Sequence, residues 1–271
     1  MSTTTQFTER VVDVWNGTIQ LRFKVAGSGP ALVYLHPAAG LAWDGFLERL
    51  AEDYTVYAPE FPGTSPADPY AIHKVDDLWQ VVLMYEEAIR ALDVGAPILV
   101  GQSFGGMLAA ELAACFPSSL SRLVLLDPIG LWLDDHPVAN PWTAAPSELP
   151  AMLFADPTGP AATAMLTPPE DPEEAIAAGA GMVWALGCTG KFVWPIPDKG
   201  LDARLHRVTS PTLIVWGEED ALVPVAHAHE FGRRIAGSTV TTIPDSGHIP
   251  QVERTEETYT AVSTFLAAGP A

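Results

Sequence analysis

Three short stretches carry side chains able to do covalent chemistry together. The first, Gly101-Gln102-Ser103-Phe104-Gly105, fits G-x-S-x-G. It lies between an apolar run, "PILVGQ", and a helix-like run, "FGGMLAAELAACFP". A sharp strand-to-helix turn strains the serine backbone and presents its hydroxyl at a sheet edge. Glycines two positions to either side avoid collisions with neighbouring backbone. A serine hydroxyl is a poor nucleophile at neutral pH; it needs a base, and the base needs an orienting acid. "PTLIVWGEEDALVP" supplies Asp220 just past an apolar run, and "TVTTIPDSGHIPQVE" supplies His248 in a turn after the next one. The chemistry implied is acyl transfer through Ser103, with His248 as base and Asp220 as its partner.

Other candidates surround this set. Asp127 ends "RLVLLD" and is an alternative acid, or a cap on the chain's exit from the strand. Glu218 and Glu219 read as solvated turn charges. His227 and His229 face different sides of a helix and are not an i, i+4 metal pair. Asp134, Asp135 and His136 lack the further ligands a metal needs. An oxyanion formed at Ser103 requires N–H donors. Phe104, directly after the serine, offers one. In the turn His36-Pro37-Ala38-Ala39-Gly40, Pro37 has no N–H, so Ala38 is the second candidate.

These residues require elements that converge at one rim. "RVVDVW" and "TIQLRFKVAG" flank Asn16-Gly17, which predicts a tight hairpin. The runs at 31–36, 55–60, 97–102, 122–127, 212–217 and 239–243 read as parallel strands buried on both faces. Helical patterns at "WDGFLERLAED", 75–93, after Ser103, 224–237 and 255–268 alternate with them. This predicts an α/β fold, a mostly parallel central sheet with helices on both faces. The alternation stops between residues 129 and 200, a stretch rich in proline and tryptophan that turns helical near 170–188. It is too long for an ordinary loop. The reading is a core of 1–128 and 201–271 with a helical cap, 129–200, inserted in it. His36, Trp132, Trp142, Met152, Phe154, Met165, Met182, Trp184 and Trp194 are candidates for an apolar pocket, although each singly also suits gluing the cap to the core.

The 271-residue chain is 48% hydrophobic, with a formal net charge of −19. Such an acidic surface disfavours nucleic acid or anionic membrane as a partner. Two cysteines, Cys115 and Cys188, make no disulfide framework and read as buried thiols. "MSTTTQFTER" lacks the pattern of a signal peptide. The apolar run 175–188 is shorter than a membrane span needs. The expectation is a cytoplasmic chain acting on a small molecule, with no membrane span and with a homo-oligomer left open.

The whole set in order, with "YAPEFPGTSPAD" at 57–68, resembles the α/β-hydrolase superfamily, in particular its small, capped, esterase-like members. The resemblance implies Ser103, Asp220 and His248 as a triad, Ala38 and Phe104 as the oxyanion hole, and no cofactor. His36-Pro37 stands where many relatives have His-Gly. A serine at 103 argues against the branches that use an aspartate nucleophile. The chemistry implied is hydrolysis of a carboxylic ester or related acyl bond. Carbon–carbon bond hydrolysis, lactone opening, perhydrolysis, or ligand binding without turnover remain alternatives on the same scaffold.

Overall fold

The computed structural model describes residues 7–268. Residues 1–6 of the stretch "MSTTTQFTER", read above against a signal peptide, lie outside the described residues. Strands β1 (Thr8–Val14) and β2 (Ile19–Ala26) form the hairpin. Its turn places Trp15, Asn16 and Gly17 at positive φ, which is why Asn-Gly suits it. Then follow β3 (Ala31–Leu35), α1 (Gly45–Asp53), β4 (Thr55–Pro59), α2 (Leu78–Ala91), β5 (Ile98–Gln102), α3 (Phe104–Cys115) and β6 (Arg122–Leu126). After an excursion come β7 (Thr212–Gly217), α7 (Ala226–Arg234), β8 (Thr239–Ile243), a short α8 (Pro250–Glu253) and α9 (Thr255–Ala267) when α4–α6 of the excursion are counted first. Those three are α4 (Leu149–Leu153), α5 (Pro160–Leu166) and α6 (Pro172–Val193).

The eight strands form one sheet in the order β1-β2-β4-β3-β5-β6-β7-β8. The β1–β2 and β2–β4 pairs are antiparallel, and the remainder are parallel. Successive residues of a strand point to opposite faces. Val33, Leu35, Leu99, Leu123, Leu125 and Trp216 therefore join one core with α2, α3 and α7. Leu32, Tyr34, Val100, Val124, Leu126 and Val215 join the other with α1 and α9. This explains why the central strands read as unbroken apolar runs. β8 departs from the expectation of burial on both faces. It is an edge strand whose residues Thr239–Thr242 are exposed or half-buried, so threonine serves there.

α3 is buried along almost its whole length, and its one charged side chain is paired. Arg204 grips Glu111 bidentately, Nε to Oε2 at 2.8 Å and Nη2 to Oε1 at 2.6 Å. Glu111 is the buried partner and Arg204 is partly exposed, so it is removal of Arg204 that would leave a buried charge alone, the costly case for such a pair. The pair ties the C-terminal half of the helix that follows the serine to the segment before β7.

α6 runs further than the sequence pattern suggests, to Val193. Asp171 caps it, accepting from the N–H groups of Glu173 and Glu174, and Pro172 occupies its first turn. By length and composition the helix could cross a membrane, unlike the shorter run 175–188. Here its C-terminal part packs on the core through Ala185, Cys188, Phe192 and Val193, while Ile176, Met182 and Val183 are exposed. Cys188 is buried, but Cys115 is only half-buried, because its position closes the last turn of α3 beside the exit to Pro117.

Candidate active site

Ser103 sits between β5 and α3 with φ 53° and ψ −115°. The glycines around it are sterically required. A Cβ on Gly101 would lie 2.3 Å from the Gly105 carbonyl oxygen, and one on Gly105 would lie 2.0 Å from that of Leu35. Real Cβ atoms do not approach backbone that closely. The strained serine is held by its N–H bond to Leu126 O at 2.9 Å and by its own carbonyl, which accepts from Met107 and Ile129.

The structure brings all three predicted side chains together. Ser103 Oγ lies 2.8 Å from His248 Nε2, and His248 Nδ1 lies 2.8 Å from Asp220 Oδ2. A carboxylate only accepts, so the ring hydrogen is on Nδ1 and Nε2 offers its lone pair to the serine O–H. Asp220 Oδ1 accepts from Leu222 N and Val223 N at 2.9 and 2.8 Å. The His248 loop is fixed from two sides. Its N–H donates to Leu153 O at 2.9 Å, and its carbonyl accepts from Gln102 Nε2 at 2.8 Å. Gln102 is fully buried and went unrecognised in the sequence, where it appears only as the variable residue of the serine motif.

Asp127 is also part of this cluster. It is fully buried at the end of β6 with φ 42°, and its Oδ1 accepts from Gly217 N at 2.8 Å. One potential ligand atom from each of Asp127, Asp220 and His248 lies within 4.8 Å of the others. Both ring nitrogens of His248 are already engaged, by Ser103 and Asp220. Asp127 is thus more than a cap on the chain's exit.

Ser103 and His248 open onto a cavity of about 190 Å³. Of the pocket candidates, Trp132, Trp142, Met165 and Met182 line it, joined by Ala38, Ile129, Val138, Asn140, Leu186 and Leu222. Among the described residues lining it, none is Lys, Arg, Asp or Glu. Trp142 is pinned by its indole N–H to Leu186 O at 2.8 Å, and Trp132 by its own to Asp134 at 3.0 Å.

Several pocket candidates lie elsewhere. His36 is buried behind the cavity; Nδ1 donates to Pro37 O at 2.7 Å and Nε2 accepts from Phe61 N at 3.0 Å. Burial lowers its pKa to about 4, so it is a neutral pin between two loops. Trp184 turns its indole to Gly63 O and Pro69 O and borders a separate groove with His73 and Lys191. Trp194 is half-exposed, and its neighbour Pro195 lines the cavity in its place. Phe154 packs with Ala162 and Ile249, and Met152 packs against the main core. Helical spacing does not say which face a neighbouring element covers, so these side chains could not be told apart beforehand.

His227 is buried, with Nε2 against His136 O at 2.8 Å, whereas His229, Glu218 and Glu219 are exposed. Ala38 stands at the cavity wall, where its carbonyl accepts from Thr189 Oγ1 at 3.0 Å. Phe104 opens α3, where a helix's first N–H groups have no partner within it. Its ring is buried 5.2 Å from that of Phe61.

Comparisons with known proteins bear on the family and the fold. The chain is 25% identical over 266 residues to a pyrrolizixenacetamide deacetylase of Xenorhabdus hominickii, covering 92% of this chain and 96% of that one. It is also 25% identical over 266 residues to a 2-hydroxy-6-oxo-6-phenylhexa-2,4-dienoate hydrolase of Burkholderia cepacia, covering 90% of each. The crystal structure of a bacterial membrane phospholipase A superposes with a TM-score of 0.77 at 24% identity, over 96% of this chain and 86% of that one, a likeness of fold. The model of the family described as "Alpha/beta hydrolase family" matches residues 32–261. The eight-stranded, mostly parallel sheet and that match over most of the chain identify it: the protein belongs to the alpha/beta hydrolase family.

Proposed function

We propose that the protein is a serine hydrolase that cleaves a carboxylic ester or related acyl bond of a small, uncharged, apolar substrate through an acyl-enzyme. The observation that carries this reading is the hydrogen-bonded run Ser103–His248–Asp220 opening onto a cavity without charged walls. In this mechanism His248 Nε2 takes the Ser103 proton as Oγ attacks the carbonyl carbon. Asp220 holds the Nδ1–H tautomer and stabilises the imidazolium. The N–H groups of Ala38 and Phe104 hold the oxyanion; each such donor is worth about 3–4 kcal/mol. The imidazolium then protonates the leaving group, and water activated by His248 releases the acid. Residues 129–200 act as a cap that sets which acyl groups fit.

Carbon–carbon bond hydrolysis is the second reading, because one relative is named for it. Its named substrate is a dienoate, an anion, and an anion buried without a cationic partner is disfavoured. The cavity offers it none. The test is a panel of neutral aryl esters of graded acyl length, aryl lactones and vinylogous diketo acids assayed on purified protein. Neutral esters turned over fastest support the proposal. Diketo acids turned over fastest replace it with carbon–carbon hydrolysis. Tight ligand binding with no turnover anywhere makes the protein a receptor.

A further inference from the structure

The carboxyl group of Asp127 stands behind the reacting side chains, outside the cavity lining. Its Oδ1 accepts from Gly217 N, while its buried Oδ2 meets no N–H or hydroxyl donor. A carboxylate oxygen of Asp220 lies within 4.8 Å of one of Asp127, and Asp220 itself faces three donors: Leu222 N, Val223 N and His248 Nδ1. Two carboxylates this close in a dry site do not both ionise. The charge stays where donors are most numerous, on Asp220, and the proton goes to the poorer site. We propose that Asp127 is a neutral carboxylic acid whose Oδ2–H donates to the Asp220 carboxylate, making it a positioning residue that fixes the group orienting His248.

This inference rests on the reading of Ser103, His248 and Asp220 as the reacting set. Burial and the Asp220 charge hold the Asp127 carboxyl well above the usual carboxylate range, against the pull of Gly217 N–H. The charged and titratable groups bearing on the pair are His248, Glu253 and, through Asp220, His227. A second anion here would favour the imidazolium and withhold the base at neutral pH. A neutral acid supplies a hydrogen bond without that charge.

Two measurements on Asp127→Asn and Asp127→Leu test the proposal. Asparagine can accept from Gly217 and donate to Asp220; leucine can do neither. In aryl ester hydrolysis, Asp127→Leu lowers kcat at least tenfold, and Asp127→Asn restores most of that loss. The acid limb of the kcat/KM profile of Asp127→Asn stays within about 0.3 pH units of the wild type. An acid limb displaced downward by a unit or more shows that the native group is ionised, and overturns the proposal. The second measurement needs no catalysis. A proton held only in the folded state lowers wild-type stability as pH rises. The Tm of Asp127→Asn relative to wild type must therefore climb from pH 5 to pH 8. A difference independent of pH overturns the proposal even if Ser103 proves inert, and a rising difference with an inert Ser103 refutes the hydrolase reading alone.

Discussion

Gln102 Nε2 donates to the backbone carbonyl of His248 at 2.8 Å, joining residues 146 apart in the chain. The residue before the proposed nucleophile therefore holds the loop that carries the proposed base. Gln102→Leu removes the donor and leaves the His248 carbonyl short of a buried partner, at a cost of about 1–3 kcal/mol. The expected result is a fall in kcat of about tenfold or more with KM little changed, in steady-state assays on a variant that still melts cooperatively. A kcat within twofold of wild type contradicts this role.

Gly105 faces backbone that cannot give way. A Cβ there would meet Leu35 O at 2.0 Å and His36 O at 2.6 Å. Gly105→Ala is expected to cost about 3 kcal/mol, the upper range for overpacking in a core. Urea unfolding measures it, and a loss below about 1 kcal/mol refutes the steric account.

His36 predicts an acid limb of stability. Its pKa is lowered from 6.5 to about 4 by burial, so between these values the unfolded chain binds more protons than the folded one. Stability therefore rises with pH from about 4 to 6.5 and is lost on acidification through that window. The contribution is about 3 kcal/mol at most. In His36→Gln this share of the slope disappears from Tm measured at pH 4, 5, 6 and 7. An unchanged slope contradicts the assignment.

The uncharged cavity predicts a preference among substrates. An aryl hexanoate and the matching monoaryl adipate differ at the far end by a carboxylate. Burying that charge without a partner is costly, so kcat/KM is expected to favour the neutral ester by about a hundredfold. Equal rates would place a cation or water where the lining has only apolar groups, Gln102, Ser103, Asn140 and His248.

Much of this is legible in the sequence, for identifiable reasons. Ser103 and Asp220 each follow a buried strand and His248 follows the edge strand β8, and the backbone of a strand-to-turn junction has a strong local signature. The glycines at 101 and 105 add steric exclusions that act over a few residues. Gln102 and Asp127 are less legible because the groups they meet lie across the sheet: His248 for one, Gly217 and the nearby Asp220 for the other. Trp184 and Trp194 show the same limit. Composition marks the excursion after β6 as apolar, but only packing decides that Met182 faces the cavity while Trp184, two residues on, hydrogen-bonds to Gly63.

The most direct test is covalent. The protein treated with a fluorophosphonate and analysed by peptide mass spectrometry is predicted to carry a single adduct, on Ser103. Ser103→Ala is predicted to take up none and to hydrolyse no p-nitrophenyl acetate above background, with its Tm close to that of the wild type. A folded Ser103→Ala variant that is still labelled or still turns over the ester would contradict the proposal that Ser103 is the nucleophile.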